Sequence, residues 1–121
     1  MRHKPQDARL AAYRKGHRAE WLALIALIFK GYRPVARRAR NTFGEIDLIV
    51  RKGALIVFVE VKARVSEGEA LDAVGYAAQR RIEAAGEQWI AEQADAAKLN
   101  WRFDVVAVKP WKWPVHFIDV W

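Results

Sequence analysis

Asp47 and the run Glu60-Val61-Lys62 are the residues best suited to do chemistry in this chain. Two carboxylates and an ammonium gathered in one place can hold a divalent cation and act on a charge developing beside it. Whether they gather depends on the residues between them. Residues 44–62 read as two strands joined by a tight turn at Lys52-Gly53, where glycine supplies the positive φ of a two-residue hairpin loop. With that loop Val50 faces Leu55, Asp47 faces Phe58 and Glu45 faces Glu60. Side chains alternate along a strand, so one face carries Ile46, Leu48, Val50, Val57, Val59 and Val61. The other carries Glu45, Asp47, Ile49, Ile56, Phe58, Glu60 and Lys62. Asp47 and Glu60 then lie diagonally across the ladder, within reach of a shared ion, and Lys62 follows on the same face. An odd loop without a bulge would separate them.

The plain reading is the solvent side of an amphipathic hairpin, with cross-strand charge pairs contributing about 0.2–1 kcal/mol each. Two features oppose it. Ile49, Ile56 and Phe58 share the charged face, and the second strand is almost continuously apolar from Ala54 to Val61, as in a strand buried on both sides. Charges at the end of such a strand lose solvation, which costs several kcal/mol per ion without a partner. Adjacent carboxylates also raise one another's pKa. A divalent cation between them resolves both problems and gives the neighbouring lysine a use.

Asp47 followed by Glu60-Val61-Lys62 resembles the Asp…Glu-x-Lys signature of the restriction-endonuclease-like, or PD-(D/E)XK, nuclease superfamily. Within it, Gly44-Glu45-Ile46-Asp47-Leu48-Ile49 together with Val57-Phe58-Val59-Glu60-Val61-Lys62 closely resembles the YraN-type family, itself similar to archaeal Holliday-junction resolvases. The likeness runs from the first helix to the strand Arg102-Phe103-Asp104-Val105-Val106. It implies a restriction-endonuclease-like α/β core, a mixed central sheet flanked by helices. It implies a Mg2+-dependent endonuclease, with Mn2+ as a second candidate, acting on DNA and on branched or junction DNA in particular. Asp47 and Glu60 would hold the metal. Gly16-x-x-x-Glu20 matches the family's helix glutamate, which would add Glu20 to the metal site. The helix after the Glu-x-Lys strand often lends a polar group; Gln79 is the nearest match, in a region where YraN-type proteins often carry lysine.

The remaining elements position these residues. A helix is expected from about Asp7, a possible N-cap, to Lys30, with Gly31 as its stop. Leu10, Tyr13, His17, Glu20 or Trp21, Leu24, Leu27 and Ile28 follow helical spacing, so Glu20 lies close to the inward face. It could equally snorkel at the edge of that face, or pair with Arg18 or His17. The apolar run Trp21 to Phe29 is far short of the ~20 residues that span a bilayer and lacks a small-residue cleavage site after it. It reads as a buried helix, and the protein as cytoplasmic and not membrane-associated. Tyr32 to Arg40 reads as an extended segment that Pro34 keeps at a sheet edge or strand start. Its Arg37, Arg38 and Arg40 are either a solvated edge or two-pronged phosphate contacts beside the acidic site. Arg64, in step with Lys62, has the same two readings.

Glu69 to about Ala94 reads as helical, with Leu71, Val74, Ala78, Ile82, Ala85, Trp89 and Ile90 on one stripe. Gly75 and Gly86 weaken it by about 1 kcal/mol each. Asn100 to Lys109 returns to the sheet. Residues 110–121 hold Trp111, Trp113 and Trp121, expected first to pack over the sheet's edge, then to form a homodimer contact, and last to stack on bases.

At 121 residues the chain reads as one domain, with a basic tail over residues 1–6. Cysteine is absent, which excludes disulfides and thiolate metal sites, and the three histidines have no zinc-type spacing. The net charge is +7, and it is lopsided: residues 1–40 hold eleven basic and two acidic side chains, residues 41–121 ten and twelve. A basic arm beside an acidic pocket suits a protein that grips phosphates, with DNA ahead of RNA as partner. A non-catalytic nucleic-acid-binding protein of the same fold is the alternative.

Overall fold

Glycine at the first position of a two-residue loop decides how the central hairpin closes. In the computed structural model, which describes residues 5–63 and 74–121 with side chains from residue 17 onward, strands β2 (Gly44–Lys52) and β3 (Leu55–Ala63) are joined through Gly53-Ala54. Gly53 has φ of +60° and Ala54 is not in the left-handed region, as a type II′ turn requires. Lys52 pairs with Leu55, Val50 with Val57 and Leu48 with Val59. The expected pairs Val50–Leu55, Asp47–Phe58 and Glu45–Glu60 are therefore wrong by two residues. A slip of two preserves the alternation of faces, so the expected meeting of Asp47 with Glu60 survives the error.

One face assignment does not survive. The regular pairing of β2 with β3 ends at Leu48–Val59, and Ile46 packs with Ile49 and Phe58 rather than with Leu48 and Val50. The strand rotates where that pairing stops, at Asp47.

Helix α1 (Pro5–Phe29) starts with proline at a position whose N–H has no helical partner, and ends on Gly31 at φ +93°. The Tyr32 N–H bonds the Leu27 carbonyl (3.1 Å) and the Gly31 N–H that of Ile28 (2.9 Å), the paired bonds of a Schellman stop. Strand β1 (Arg33–Asn41) follows as the edge strand that Pro34 implies, and pairs antiparallel with β2 through a bulge between Pro34 and Ala36. After β3 the chain reaches helix α2 (Tyr76–Ala91), strand β4 (Asn100–Val108) and a short strand β5 (Val115–Phe117) that the sequence pattern does not announce. The part of the expected second helix over residues 69–73, Leu71 included, lies outside the described residues; α2 itself follows the extended Gly75.

The five strands form one mixed sheet in the order β1-β2-β3-β4-β5, with β3 and β4 parallel and the other pairs antiparallel. The two helices cover opposite faces. Ala19, Ala23, Leu24 and Leu27 of α1 pack on Leu48, Val50, Val57, Val59 and Val106. Ile82, Ala85 and Ile90 of α2 pack on Ile49, Ile56, Phe58, Phe103 and Val105. The chain is a mixed α/β protein with helices on both sides of its sheet. Alanines form much of the inner face of α1 and let the helix close on the strands. Trp21 and Ile28, expected inside, are half exposed together with Leu22 and Ile25, and Phe29 is mostly exposed, so the helix is buried on one side only. Among the described residues no helix is long and apolar enough to cross a membrane.

Candidate active site

Strand β3 is buried on both faces from Ile56 to Glu60, and Glu60 is only 7% exposed. Beside it, Asp47 occupies the point where β2 leaves the ladder. Its Oδ2 accepts the Val61 N–H at 2.9 Å, a donor left over where the strands part. The carboxyls of Asp47 and Glu60 lie close enough to shift one another's titration. Burial and then the charge of Asp47 push the Glu60 carboxyl up to about 8. Burial and the nearby charge of Glu20 raise Asp47, against the opposing pull of the Val61 N–H, the neighbouring Glu60 side chain and Lys62. Half-buried Lys62 lies close enough to pull both carboxyls down. Among the described residues Glu60 Oε1 is buried and finds no hydrogen-bond partner. Such an oxygen is costly unless something outside the polypeptide satisfies it.

Glu20 lies on the inner side of α1, 6% exposed, and faces Asp47 closely enough to repel it. Both its oxygens accept from Arg38 Nε, at 2.9 and 3.2 Å. Arg38 takes a left-handed backbone conformation, φ +51°, uncommon for a side chain of this size. Among the described residues no three carboxylate or imidazole side chains form a ready-made cation cage. The acidic nucleus is the pair Asp47–Glu60, with Glu20 turned to an arginine beside it.

The other expected residues are placed as follows. Arg37 lies 4.1 Å over the ring of Trp21, with Nη2 3.5 Å from His17 Nδ1. Arg40 is exposed and pairs with Glu45 at 2.8 Å. Gln79 donates to the Val74 carbonyl (2.8 Å) and shares a cavity of about 190 Å3 with Val105, the residue of β4 paired with Glu60. Arg64 lies outside the described residues. Of the three terminal tryptophans only Trp121 packs on the core, stacked on Phe103; Trp111 and Trp113 are exposed, contrary to the packing expected for all three.

A second polar cluster was not anticipated. Asp104 is fully buried in β4, gripped by Arg102 through two 2.8 Å bonds and by His116 Nε2 at 2.6 Å, with the Asp119 N–H at 2.9 Å. Arg102 also reaches the Tyr32 hydroxyl, and Lys30 Nζ lies 2.9 Å from His116 Nδ1. An ammonium can only donate, so His116 accepts at Nδ1 and gives its Nε2–H to Asp104. Burial alone would raise the Asp104 carboxyl, but the bonds from His116, Arg102 and Asp119 outweigh it and hold it below the usual range. Every oxygen of this carboxylate is satisfied, so the cluster ties β5 and the end of α1 to β4. The legible signal was an acid inside an apolar strand with an arginine two residues before it, on the same face.

Against known proteins, the profile of the uncharacterised protein family UPF0102 matches residues 19–108. A UPF0102 protein of Mesorhizobium japonicum is 60% identical over 116 residues, covering 96% of this chain and 93% of that one. Another from Chelativorans sp. is 55% identical over 117 residues, 94% of each chain. One from Rhizobium meliloti is 50% identical over 116 residues, 96% of this chain and 95% of the relative.

Proposed function

The chain belongs to the UPF0102 family, and for it we propose a metal-dependent nuclease that hydrolyses DNA phosphodiester bonds on a restriction-endonuclease-like core. The observation that carries this reading is the Asp47–Glu60 pair: a half-buried and a buried carboxyl, both raised, with an unsatisfied Glu60 oxygen and an ammonium alongside. These donors fit a small, oxygen-preferring divalent cation, Mg2+ first and Mn2+ second. Asp47 and Glu60 would hold it, with Glu20 assisting directly or through water. A cation bound there would supply charge neutralisation at the scissile phosphate and a more acidic water.

The residues themselves do the rest. The Val61 N–H fixes one Asp47 oxygen, so that carboxylate is oriented before any ligand arrives. Lys62 donates to the attacking water or to the phosphorane oxygens as their charge develops. Gln79, beside the strand neighbour of Glu60, would hold a water or a phosphate oxygen. Arg40 and Arg64 are the proposed backbone-phosphate contacts. Arg38 neutralises Glu20, which limits the negative charge a DNA strand meets at the site. Branched or junction DNA is the substrate class to try first.

That same Glu20–Arg38 pair favours a second reading, a nucleic-acid-binding protein that keeps the fold without cutting, because it withdraws the third carboxylate from the site. Cleavage assays on linear and branched DNA with Mg2+ and Mn2+ decide between the two. Asp47→Ala and Lys62→Ala should each lower cleavage by about 10²-fold or more, with circular dichroism unchanged. Cleavage unaffected by both substitutions would remove the catalytic reading. Isothermal titration of the cations separates the readings further, since a pure binder need not hold metal at Asp47 and Glu60.

A further inference from the structure

Past the carboxyl ends of β3 and β4 the surface opens into a groove of about 470 Å3. Its apolar walls include Leu22, Trp111 and Trp113, and its cations are Arg18, Lys109 and Lys112. Among the described residues that line it none is acidic. Trp111 is exposed on every side (102%), on a backbone held at φ +60°, a conformation that side chains of this bulk rarely adopt. Trp113 is steadied edge-on by Phe29, with ring centroids 5.8 Å apart, and still shows most of its surface. Two large rings presented to water beside three cations cost solvation without gaining a core, which points to a ligand with flat apolar faces and a polyanionic backbone.

Two of its wall residues are chain neighbours of candidate-site residues. Ala63, in its wall, follows Lys62, and Ala19, also in its wall, precedes Glu20. Ala63 pairs with Val108, another wall residue, at the end of the parallel strands. In open α/β sheets that end is where ligands bind.

We propose that this groove holds an unpaired DNA strand, its bases stacked on Trp111 and Trp113 and its phosphates met by Arg18, Lys109 and Lys112, leading the strand to the Asp47–Glu60–Lys62 site. The proposal rests on the nuclease reading for what happens at that site, and on the groove alone for binding. It makes the preferred substrate one with a single-stranded arm or flap, because bases inside a duplex offer no free faces to the rings. Charge selects the occupant: a second copy of a chain at +7 would bring like charge to a groove already lined by cations.

The test is fluorescence anisotropy of the full chain with a short labelled oligothymidylate and with a blunt duplex, in chelator so that no cutting occurs. Replacing Trp111 and Trp113 together by alanine should weaken single-strand binding at least about tenfold and leave duplex binding nearly unchanged. Replacing both by phenylalanine should restore most of the loss, since a phenyl ring still stacks. Unchanged single-strand affinity, an equal loss on duplex, or tighter binding of the matching ribo-oligomer would overturn the proposal. So would a dimer in sedimentation that the double alanine variant dissolves without any loss of oligonucleotide affinity. If the tryptophans prove irrelevant while Asp47-dependent cleavage persists, the groove falls and the nuclease stands. Tryptophan-dependent binding with no cleavage under any divalent cation leaves the groove standing and removes the nuclease.

Discussion

Glu60 is the residue where the cost of the proposed site is concentrated. Its carboxyl has a value of about 8 in the folded chain against 4.5 for an ordinary glutamate, because burial and the Asp47 charge both oppose its ionisation. A raised acid binds its proton more tightly folded than unfolded. Its contribution to stability is therefore complete below about pH 4.5 and is lost as pH rises towards 8. The loss amounts to a few kcal/mol, since each tenfold change in proton affinity is worth about 1.4 kcal/mol. Glu60→Gln should flatten that slope: in chelator the variant melts above the parent at alkaline pH, and the gap closes in acid. Added Mg2+ should raise the melting temperature of the parent at alkaline pH and leave the variant unmoved. Parallel pH profiles for the two proteins would show that the carboxyl is solvated after all. At this scale the sequence was informative where residues of one strand share a face by period two, as Glu60 and Lys62 do. It was silent on the meeting of Asp104 with His116, which a Trp- and Pro-rich turn of unforeseen shape brings about by folding β5 back onto β4.

Elements show the same division between regular and irregular structure. The helices, the buried strand β3 and the edge strand β1 follow from apolar periodicity, from Gly31 and from Pro34, each a local and strong physical signal. The hairpin register was misread because two adjacent loop choices differ only in whether glycine comes first or second, and the II′ turn takes it first. The turn of Ile46 to the other face was illegible because a side chain, Asp47, replaces the partner strand at that point. Gly86, read from sequence as a weak point in α2, is instead a point of close approach. A Cβ there would meet Phe103 and Phe58 ring atoms at 3.0 Å. Gly86→Ala gains about 1 kcal/mol of helix propensity but overpacks the ring stack, at a cost of about 1–3 kcal/mol. A lower melting temperature is expected; a higher one would mean that the stacked Phe58–Phe103 pair can yield. Asp104→Ala removes a buried anion and strands Arg102 and His116, so chemical denaturation should register a loss of about 3–5 kcal/mol. Because that carboxyl is held low, its contribution is fully present above 3.8 and fades only as pH falls through its folded value.

For the molecule as a whole the charge distribution decides how the proposed polyanion would be met. The basic excess lies in residues 1–40, while the rest of the chain holds more acids than bases. Folding uses part of that excess internally. Arg38 is committed to Glu20, and Arg37 is laid over Trp21. Arg40, with its side chain 78% exposed and paired only across the surface to Glu45, remains available to phosphate at little structural cost. Three neighbouring arginines thus separate by role, which composition cannot do. Arg40→Ala should leave stability within about 0.5 kcal/mol and reduce the slope of log affinity against log salt by about 1. Arg38→Ala should behave differently, because it strands a buried Glu20 close to Asp47 and costs stability of about 1.5–3 kcal/mol. Measured across a salt series on one DNA substrate, equal slopes for the parent and Arg40→Ala would place the phosphate track elsewhere. A slope change for Arg38→Ala without a stability loss would mean that the Glu20 pair opens when DNA binds, freeing both groups for the site.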